Sequence, residues 1–364
     1  MSFDTIIIPG TKIENGNCDT AKHLQNILGI KNLRFASELE VKNNLEDELT
    51  PNTNILVLHA FKCSKIIKKI RQVHQQNVKI ILIFGGTDVN NLPNFEVSSD
   101  YAKDVLSSIN LANNIVSFTE SMINLVYNYY TSKGVQNFKR KTKHKFKIIR
   151  SGYQTVPQKI SHLGDENSKT LVMVANFRPV KNIIRAINIW TIFYGMTQKS
   201  QNFTFKIIGK PTTDDKEYSN QILDKIQNNS VPSIQIINDA DHSKVIEELK
   251  NSYAVINTSI SEGMSQALIH AMSFGKPVLC SNIAANSELL RLQNNVTNND
   301  CYDSQEFGIF SDDGISDNRL INAQLLFRVF TDPAFYEKLS NRSIEVVKKW
   351  NDPEIEAKKY RELI

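Results

Sequence analysis

The sequence lacks the features that mark membrane-spanning, disulfide-stabilised and zinc-binding proteins. No apolar run approaches the roughly 20 residues that a helix needs to cross a bilayer. The first residues, MSFDTIIIPGT, have no basic segment before their short apolar run, so they predict a β-strand and not a secretion signal. The scattered cysteines form no CxxC pair, which argues against a disulfide framework and a zinc site. These cysteines are Cys18, Cys63, Cys280 and Cys301, and we expect a protein of the reducing cytoplasm.

The chain has few acidic residues near its main basic segment. Its formal net charge is +5, and the segment KRKTKHKFKIIR (Lys139–Arg150) alone holds seven Lys and Arg. Subtracting those seven leaves the remainder at about −2, so the basicity is local. Such a run is typical of a solvated helix end followed by a strand; the alternative is a patch for anionic membrane or an anionic substrate. Nucleic acid is not an expected partner, because no stacking platform is interleaved with these cations.

Short β-branched runs alternate with longer segments of helical periodicity. The predicted strands are Thr5–Ile8, Asn54–Leu58, Val78–Phe84, Ile115–Phe118, Phe146–Arg150, Thr170–Ala175, Thr204–Ile208, Ile234–Ile237, Ala254–Asn257 and Pro277–Cys280. The predicted helices include Ser64–Gln76, Thr119–Tyr130, Lys181–Phe193, Lys216–Gln227, Ser243–Asn251 and Ser265–Phe274. This alternation predicts an α/β protein with parallel sheets built from βαβ units.

The length predicts two domains. A chain of 364 residues is too long for one compact core. The polar segment SHLGDENSK (Ser161–Lys169) separates the two series of strands and predicts a hinge. Ligands of open α/β sheets bind beyond the carboxyl ends of the strands. The chemistry is therefore expected in the loops that follow the strands.

The most informative loop follows the predicted strand Ala254–Asn257. Its Glu262 and Gly263 precede a predicted helix that Ser265 is placed to cap and that Gly275 is expected to end. A helix N-terminus beneath a glycine-containing loop suits phosphate oxygens. Glu262 has the wrong sign for phosphate and better suits sugar hydroxyls as an acceptor. Taken alone, this residue is equally an exposed loop acid.

This stretch resembles the C-terminal domain of family 4 retaining glycosyltransferases, whose signature is Ser, a short gap, Glu-Gly, then Glu-Ala-Met and Gly-x-Pro-Val. The residues that match in register are Ser259, Glu262, Gly263, Ala271, Met272, Gly275, Pro277 and Val278. Three further segments resemble other elements of the family: VANFRPVKN its Arg-x-x-Lys element, FKIIG a strand end and FGIF the close of the sugar-site region. Together these segments cover most of residues 169–310.

The resemblance implies a GT-B fold, in which two doubly wound Rossmann-like domains face each other across a cleft. It implies an acceptor-side domain over residues 1–160, a nucleotide-sugar-binding domain over 161–345, and a C-terminal helix over 346–364 that crosses back to the first domain. Pro353 suits the start of that helix. The implied reaction is retaining transfer of a sugar from a nucleotide sugar, of the UDP or GDP type, to an acceptor that the sequence does not identify.

The resemblance also implies roles for individual residues. Arg178 and Lys181 would stabilise the leaving diphosphate, and Glu262 would orient the sugar, with no metal and no cofactor. Closure about the hinge would bring in the acceptor and exclude water. The implied donor-binding residues of this half are Gly209, Ser261, Gly263, Met264, Ser265 and His270.

Three N-terminal segments narrow the resemblance to one subgroup of the family: GNCDTAK, LHAFKCS and IFGGTDVN. Gly16 and Asn17 follow a predicted strand and suit close approach of a phosphate or an acceptor, and both are assigned to donor binding. His59 ends a strand and is either a donor-site hydrogen-bond group or a structural residue. Thr87 and Asp88 are assigned to the acceptor side, although Asp88 equally suits a turn cap.

Two positions depart from the family pattern. The second signature glutamate, which is expected to hold the nucleotide ribose, is His270 here. A neutral imidazole cannot accept from two vicinal hydroxyls, and losing one hydrogen bond of roughly 1.5–3 kcal/mol would weaken nucleotide binding about 10- to 100-fold. The histidine of an HGSDV-like loop is Gly85 here. These departures keep two other classes open: a GT-B binding or regulatory protein without catalysis, and a nucleotide-sugar hydrolase or epimerase.

Overall fold

The structure is a computed structural model that describes residues 5–10, 16–34, 49–75, 77–160, 168–197, 203–228, 233–290, 308–311 and 318–364. The chain forms two compact units. The first contains Met1–Gly152 and Asp352–Ile364, and the second contains Tyr153–Asn351. The segment proposed as a hinge, Ser161–Lys169, lies mostly outside the described residues.

The elements alternate along the chain as follows. Up to the first crossing between the units they are β1 Thr5–Pro9, α1 Gly16–Leu28, β2 Asn32–Leu33, β3 Asn54–Leu58, α2 Ser64–His74, β4 Lys79–Ile83, α3 Thr87–Asn90, α4 Asp100–Leu111, β5 Asn114–Ser117, α5 Glu120–Ser132, α6 Phe138–Thr142 and β6 Phe146–Ile148. Beyond it they are β7 Thr170–Val174, α7 Ile183–Met196, β8 Thr204–Ile208, α8 Lys216–Asn228, β9 Ile234–Ile237, α9 His242–Asn251, β10 Ala254–Asn257, α10 Gln266–Ser273, β11 Val278–Cys280, α11 Ala284–Leu290, α12 Arg319–Thr331, α13 Pro333–Trp350 and α14 Pro353–Arg361.

Each unit is built on one sheet whose described strands are all parallel. In the first unit the strand order is β2-β1-β3-β4-β5-β6. In the second it is β11-β10-β7-β8-β9. The central strand β3, with the sequence NILVL, is buried along its whole length, as expected for a parallel sheet covered on both faces. The adjacency of β7 and β10 brings the loops that follow these two strands together.

The predicted α/β fold is confirmed, and all ten predicted strands form with ends within two residues of the prediction. The predicted helices also form, with ends that differ by at most three residues. One of these differences is at Lys181, which lies in a 3₁₀ turn, Pro179–Lys181, and not in the helix. Asn182 adopts a left-handed conformation after that turn, so α7 begins at Ile183. The short strand β2 was missed, because two residues leave no periodic pattern.

The boundaries between the two compact units differ from the domain boundaries predicted from the sequence, which were 160/161 and 345/346. Segment 153–160 belongs to the second unit because the N–H groups of Gln158 and Ile160 donate to the carbonyls of Ser273 and Phe274. The predicted C-terminal helix is interrupted after Trp350, and α14 belongs to the first unit. There Glu356 of α14 contacts Nε2 of His23 at 2.6 Å.

No helix in the described ranges combines the length and the apolar character needed to cross a membrane.

Candidate functional site

Backbone contacts bring the loop after β10 against the turn after β7. The Thr258 hydroxyl is directed at the carbonyl oxygens of Lys181 and Asn182, at 3.2 and 2.9 Å. The Ile260 N–H donates to the Val180 carbonyl at 3.0 Å. Because β7 and β10 are neighbours in the sheet, these bonds fix the two loops at the carboxyl ends of adjacent strands. This is the edge where ligands of open α/β sheets bind.

Glu262 and Lys181 form an ion pair at this edge. The Lys181 Nζ lies 2.7 Å from Oε1 of Glu262, and the two side chains are 24% and 10% exposed. The Ser259 hydroxyl donates to the same oxygen at 2.7 Å, and Nδ2 of Asn257 donates to it at 3.1 Å. All three of these donors bind the same oxygen, Oε1. The second oxygen, Oε2, has no hydrogen-bond donor among the described residues.

The surroundings keep Glu262 ionised. Burial alone raises the pKa of this carboxyl, but the Lys181 charge and the hydrogen bonds from Lys181, Ser259 and Asn257 outweigh burial, so the pKa lies below its ordinary value. The site therefore contains a fixed carboxylate and an ammonium in direct contact. Carboxylate oxygens accept hydrogen bonds and ammonium groups donate them, so the pair offers both functions to a polar ligand.

Arg178 begins the same turn as Lys181 but is not tied in the same way. Its backbone N–H donates to Asn176 and its carbonyl accepts from Lys181, at 2.8 and 2.9 Å. Within the described part of the chain, its half-buried guanidinium makes no hydrogen bond and no ion pair. One cation of the predicted pair is thus neutralised by Glu262, and the other is available to an anion.

Ser265 occupies the position before α10, as predicted, but its side chain does not cap the helix. Its hydroxyl instead lies 3.5 Å from Nδ2 of Asn257, which also holds Glu262. The prediction that Ser265 caps α10 was therefore wrong, because the hydroxyl turns towards the end of β10. Of the other loop residues, Ser261 and Gly263 are partly exposed and Met264 is buried.

His270 lies one turn into α10 and is 4% exposed. Its ring packs edge to face on the ring of His242, at a centroid distance of 5.6 Å. His242 in turn lies 3.1 Å from Oε1 of Gln154 through its Nε2. The position of the second signature glutamate therefore holds an imidazole that takes part in the contact between α9 and α10.

Gly209 is required by the packing of the sheet itself. It follows β8 directly, as the sequence predicts, and a Cβ there would lie 2.0 Å from the carbonyl oxygen of Ala175. This close contact between two backbone segments explains why the residue is glycine, without reference to a ligand. Gly275 has φ +69° at the end of α10, which confirms that it ends the helix. The backbone of Gly308 accepts from Cys280, so the segment at 308–310 pairs with β11.

In the first unit, the predicted residues at the ends of β3 and β4 are largely used by internal bonds. Asp88 is fully buried, and its carboxylate accepts from the N–H groups of Ala60 and Gly85 at 2.7 and 3.0 Å. Nδ1 of His59 accepts from the Lys62 N–H, so the ring proton lies on Nε2, which donates to the Thr87 hydroxyl at 3.0 Å. These bonds join the two loops to each other.

The same surroundings keep His59 neutral. Burial lowers its pKa, the Asp88 carboxylate raises it and the Lys62 charge lowers it, and the result lies below the ordinary value of 6.5. The Gly16–Asn17 motif begins α1 near these loops: a Cβ on Gly85 would lie 2.6 Å from Oδ1 of Asn17. The structure therefore brings all three N-terminal motifs together, with only Thr87 and Asn17 partly exposed among their predicted site residues that are described in full.

The basic segment 139–150 has two parts. Lys145 is structural, because its ammonium donates to the carbonyl oxygens of Asn110 and Ala112 at 2.7 and 2.8 Å and closes the end of α4. Arg150 is partly buried, and five other cations are exposed: Lys139, Arg140, Lys141, Lys143 and Lys147. Apart from a contact between Lys139 and the ring of Tyr127, the described residues give these five cations no partner.

Two residues of the Glu262 network were not among the predicted site residues: Asn257 and Ser259. Ser259 had been matched to the signature without a role, and it now proves to donate to Glu262. Asn257 holds three groups, because its Oδ1 also accepts from the Ser259 N–H at 3.1 Å. A polar residue that ends a buried apolar strand was the available sequence signal. In the described residues, no cluster of three or more His, Cys, Asp or Glu could hold a metal ion.

The candidate site lies within the part of the chain that a family model matches. The family model described as "Glycosyl transferases group 1" matches residues 157–307. Glycosyltransferase 1 domain-containing protein 1 of Xenopus tropicalis, the protein that the N-terminal segments resemble, is 25% identical over 221 residues. This match spans 57% of the chain and 58% of the relative, so the chain matches little more than half of that protein.

Solved structures show the fold. A variant of TarM from S. aureus, in complex with UDP and two further ligands, is similar with a TM-score of 0.62 and 14% identity, over 90% of this chain and 57% of that one. The E. coli structure described as "Trehalose-6-phosphate" bound with UDP-2-fluoro glucose is similar with a TM-score of 0.72 and 11% identity, over 99% and 98%. The chain therefore has the α/β fold of GT-B glycosyltransferases, and residues 157–307 are similar to glycosyl transferases group 1.

Proposed function

We propose that this protein is a retaining glycosyltransferase of the family 4 type, which moves a sugar from a UDP- or GDP-type nucleotide sugar to an acceptor that is not identified. The observation that carries the proposal is the Lys181–Glu262 pair, 2.7 Å apart, at the carboxyl ends of β7 and β10, together with Arg178, which begins the same turn and whose guanidinium has no partner among the described residues. The match to group 1 glycosyl transferases and the UDP complexes of two proteins with this fold support it.

The proposed roles follow from charge. Arg178 and Lys181 stabilise the negative charge that develops on the leaving diphosphate, together with N–H groups at the start of α10 that the Ser265 hydroxyl does not use. Glu262 accepts hydrogen bonds from the sugar through Oε2, because its other oxygen is already occupied. These residues supply cationic stabilisation without a metal ion, and we propose that transfer is metal-independent.

The proposal is tested with a panel of UDP-, GDP- and ADP-sugars. We expect the purified protein to release nucleotide and free sugar slowly from one of them in the absence of an acceptor, and Glu262→Ala to abolish the release. Glu247→Ala is the matched control, because Glu247 is an exposed acid of the same unit on α9. Release that continues unchanged in Glu262→Ala would remove Glu262 from the mechanism.

A second candidate function is favoured by one residue: a nucleotide-sugar-binding or regulatory protein without catalysis. His270 replaces the carboxylate that is expected to hold the ribose, and it is packed against His242. A nucleotide-dependent rise in melting temperature without turnover supports this function. We expect His270→Glu to tighten nucleotide binding about 10- to 100-fold, by restoring one hydrogen bond to a charged group. An unchanged or larger dissociation constant by calorimetry would show that the ribose argument is wrong.

We also propose that the exposed cations of residues 139–147 attract anionic membrane. Their charge complements phosphatidylserine headgroups, and each Lys or Arg near such a surface contributes about 1 kcal/mol. We expect Lys139→Glu with Lys141→Glu to reduce sedimentation with phosphatidylserine vesicles at low salt. Lys133→Glu is the control, because Lys133 pairs with Glu96 and lies outside the segment. Equal sedimentation of all three proteins would refute the proposal.

A further inference from the structure

Two groups that the proposed function assigns to different parts of the donor are bound to each other in this structure. Lys181 is assigned to the diphosphate and Glu262 to the sugar, yet Nζ of Lys181 lies 2.7 Å from Oε1 of Glu262. An ammonium that is neutralised by a carboxylate attracts a second anion less strongly than a free one. A donor that uses both residues must therefore change this pair.

The surroundings of the pair are unequal. Glu262 is held by Ser259 at 2.7 Å and by Asn257 at 3.1 Å, and both of these residues are buried at the end of β10. Lys181 has a flexible stem, is the more exposed partner, and its ammonium has no hydrogen-bond acceptor other than Glu262 among the described residues. When the pair opens, the carboxylate remains in place and the ammonium moves.

We propose that Lys181 exchanges between Glu262 and the diphosphate of an incoming nucleotide, and that Asn257 and Ser259 are positioning residues that hold the Glu262 carboxylate during this exchange. The inference rests on the proposed function and deepens it. Glu262 acts as the counter-ion of Lys181 while no donor is bound, so it competes with the diphosphate for that ammonium. The two hydrogen bonds to Oε1 are made both before and after Lys181 leaves, so they hold the carboxylate in place without favouring either state.

The competition makes an unusual prediction for a residue of a binding site: neutralising it strengthens binding. Glu262→Gln frees Lys181, and we expect it to bind UDP, or GDP if wild type prefers it, roughly fivefold more tightly by calorimetry, the equivalent of about 1 kcal/mol for one partly exposed ion pair. Lys181→Met should weaken binding about tenfold. The double variant should bind like Lys181→Met, because Glu262 acts on the nucleotide only through Lys181.

The positioning role is measured separately. We expect Ser259→Ala to lower the rate of donor hydrolysis about tenfold with an unchanged dissociation constant for UDP, since only the carboxylate is disturbed. In ¹³C-glutamate-labelled protein, the Glu262 carboxyl, identified by its loss in Glu262→Gln, should titrate at higher pH in Ser259→Ala than in wild type. Asn257→Asp is a second variant with the same expected direction. Ile260→Ala, whose side chain is 41% exposed in the same loop, should change none of these values.

The outcomes separate the exchange from the function on which it rests. If wild type binds neither UDP nor GDP, the proposed function fails and the exchange fails with it. If wild type binds one of them and Glu262→Gln binds it equally or less tightly, only the exchange is overturned. A gain in Glu262→Gln that persists in the double variant also overturns it. An unchanged Glu262 titration in both Ser259→Ala and Asn257→Asp overturns the positioning role.

Discussion

The strand-end loops of the two units each contain a buried carboxylate, but the two carboxylates are satisfied in different ways. Asp88 of the first unit accepts from the backbone N–H groups of Ala60 and Gly85. Glu262 of the second unit accepts from side chains only, and one of them is the ammonium of Lys181. Backbone donors cannot move away from the Asp88 carboxylate unless a loop unfolds. The Lys181 ammonium can move away from Glu262, because it lies at the end of a flexible side chain.

This difference separates a structural acid from one available for ligand chemistry. Asp88 and His59 use their polar atoms to join the ends of β3 and β4, and Thr87 is the partly exposed member of that group. Glu262 has one oxygen held and the other without a donor from the described residues. On sequence, both acids were assigned to a ligand site, Glu262 to orient the sugar and Asp88 to the acceptor side. The identity of their donors divides them.

The largest effect is expected from Asp88→Ala. The change leaves the N–H groups of Ala60 and Gly85 buried without an acceptor, and we expect the free energy of unfolding of the first unit to fall by about 3–5 kcal/mol. Urea unfolding measures this loss. Glu262→Gln is the comparison, with an expected loss under about 1.5 kcal/mol because the amide keeps an oxygen acceptor. Equal losses in both variants would erase the distinction between the two acids.

For the rate of donor hydrolysis we expect the opposite order, with a larger loss from the change at Glu262 than from the change at Asp88. We expect Glu262→Gln to lower donor hydrolysis roughly 10- to 100-fold, the cost of replacing a charged acceptor by a neutral one at the sugar. Asp88→Asn, which preserves one acceptor oxygen, should retain hydrolysis within about threefold in the fraction that is folded. Initial rates normalised to folded protein check this prediction. Full activity in Glu262→Gln would contradict it.

A smaller effect is expected from the titration of His59. Its pKa is lower in the folded than in the unfolded protein, so its contribution to stability is present above the ordinary value of 6.5 and is lost as the pH falls below it. The slope is at most about 1.4 kcal/mol per pH unit. We expect His59→Gln to flatten the decline in urea midpoint between pH 7 and pH 5.5. His144→Gln, at an exposed histidine of the same unit, should leave the slope unchanged.

Much of the fold could be predicted because its signals are local. The runs of Ile, Leu and Val that form β3, β4 and β7 predict buried parallel strands, and glycine at position 275 predicts the end of a helix. Local sequence patterns do not predict the position of a segment that depends on contacts with distant residues. Segment 153–160 has no pattern of its own, and its place in the second unit depends on hydrogen bonds to residues 273 and 274, more than 100 positions away.

The candidate site divides in the same way. The order and spacing of Arg178, Lys181, Glu262 and Gly263 indicate a resemblance to a family, and that resemblance implies a role for each of these residues. Neither spacing nor resemblance predicted that Ser265 leaves α10 uncapped, or that Asn257 and Ser259 hold the carboxylate. Those outcomes depend on side-chain directions at the end of β10.

The sequence by itself determined the succession of strands and helices, the parallel sheets and the chemical types gathered after β7 and β10, because periodicity and residue spacing act over short distances along the chain. Only the tertiary structure decided which groups touch. The pairing of Lys181 with Glu262, 81 positions apart, and the use of Asp88 by backbone donors follow from the order of strands in each sheet. Hydrogen-bond geometry between distant segments cannot be read from either segment alone.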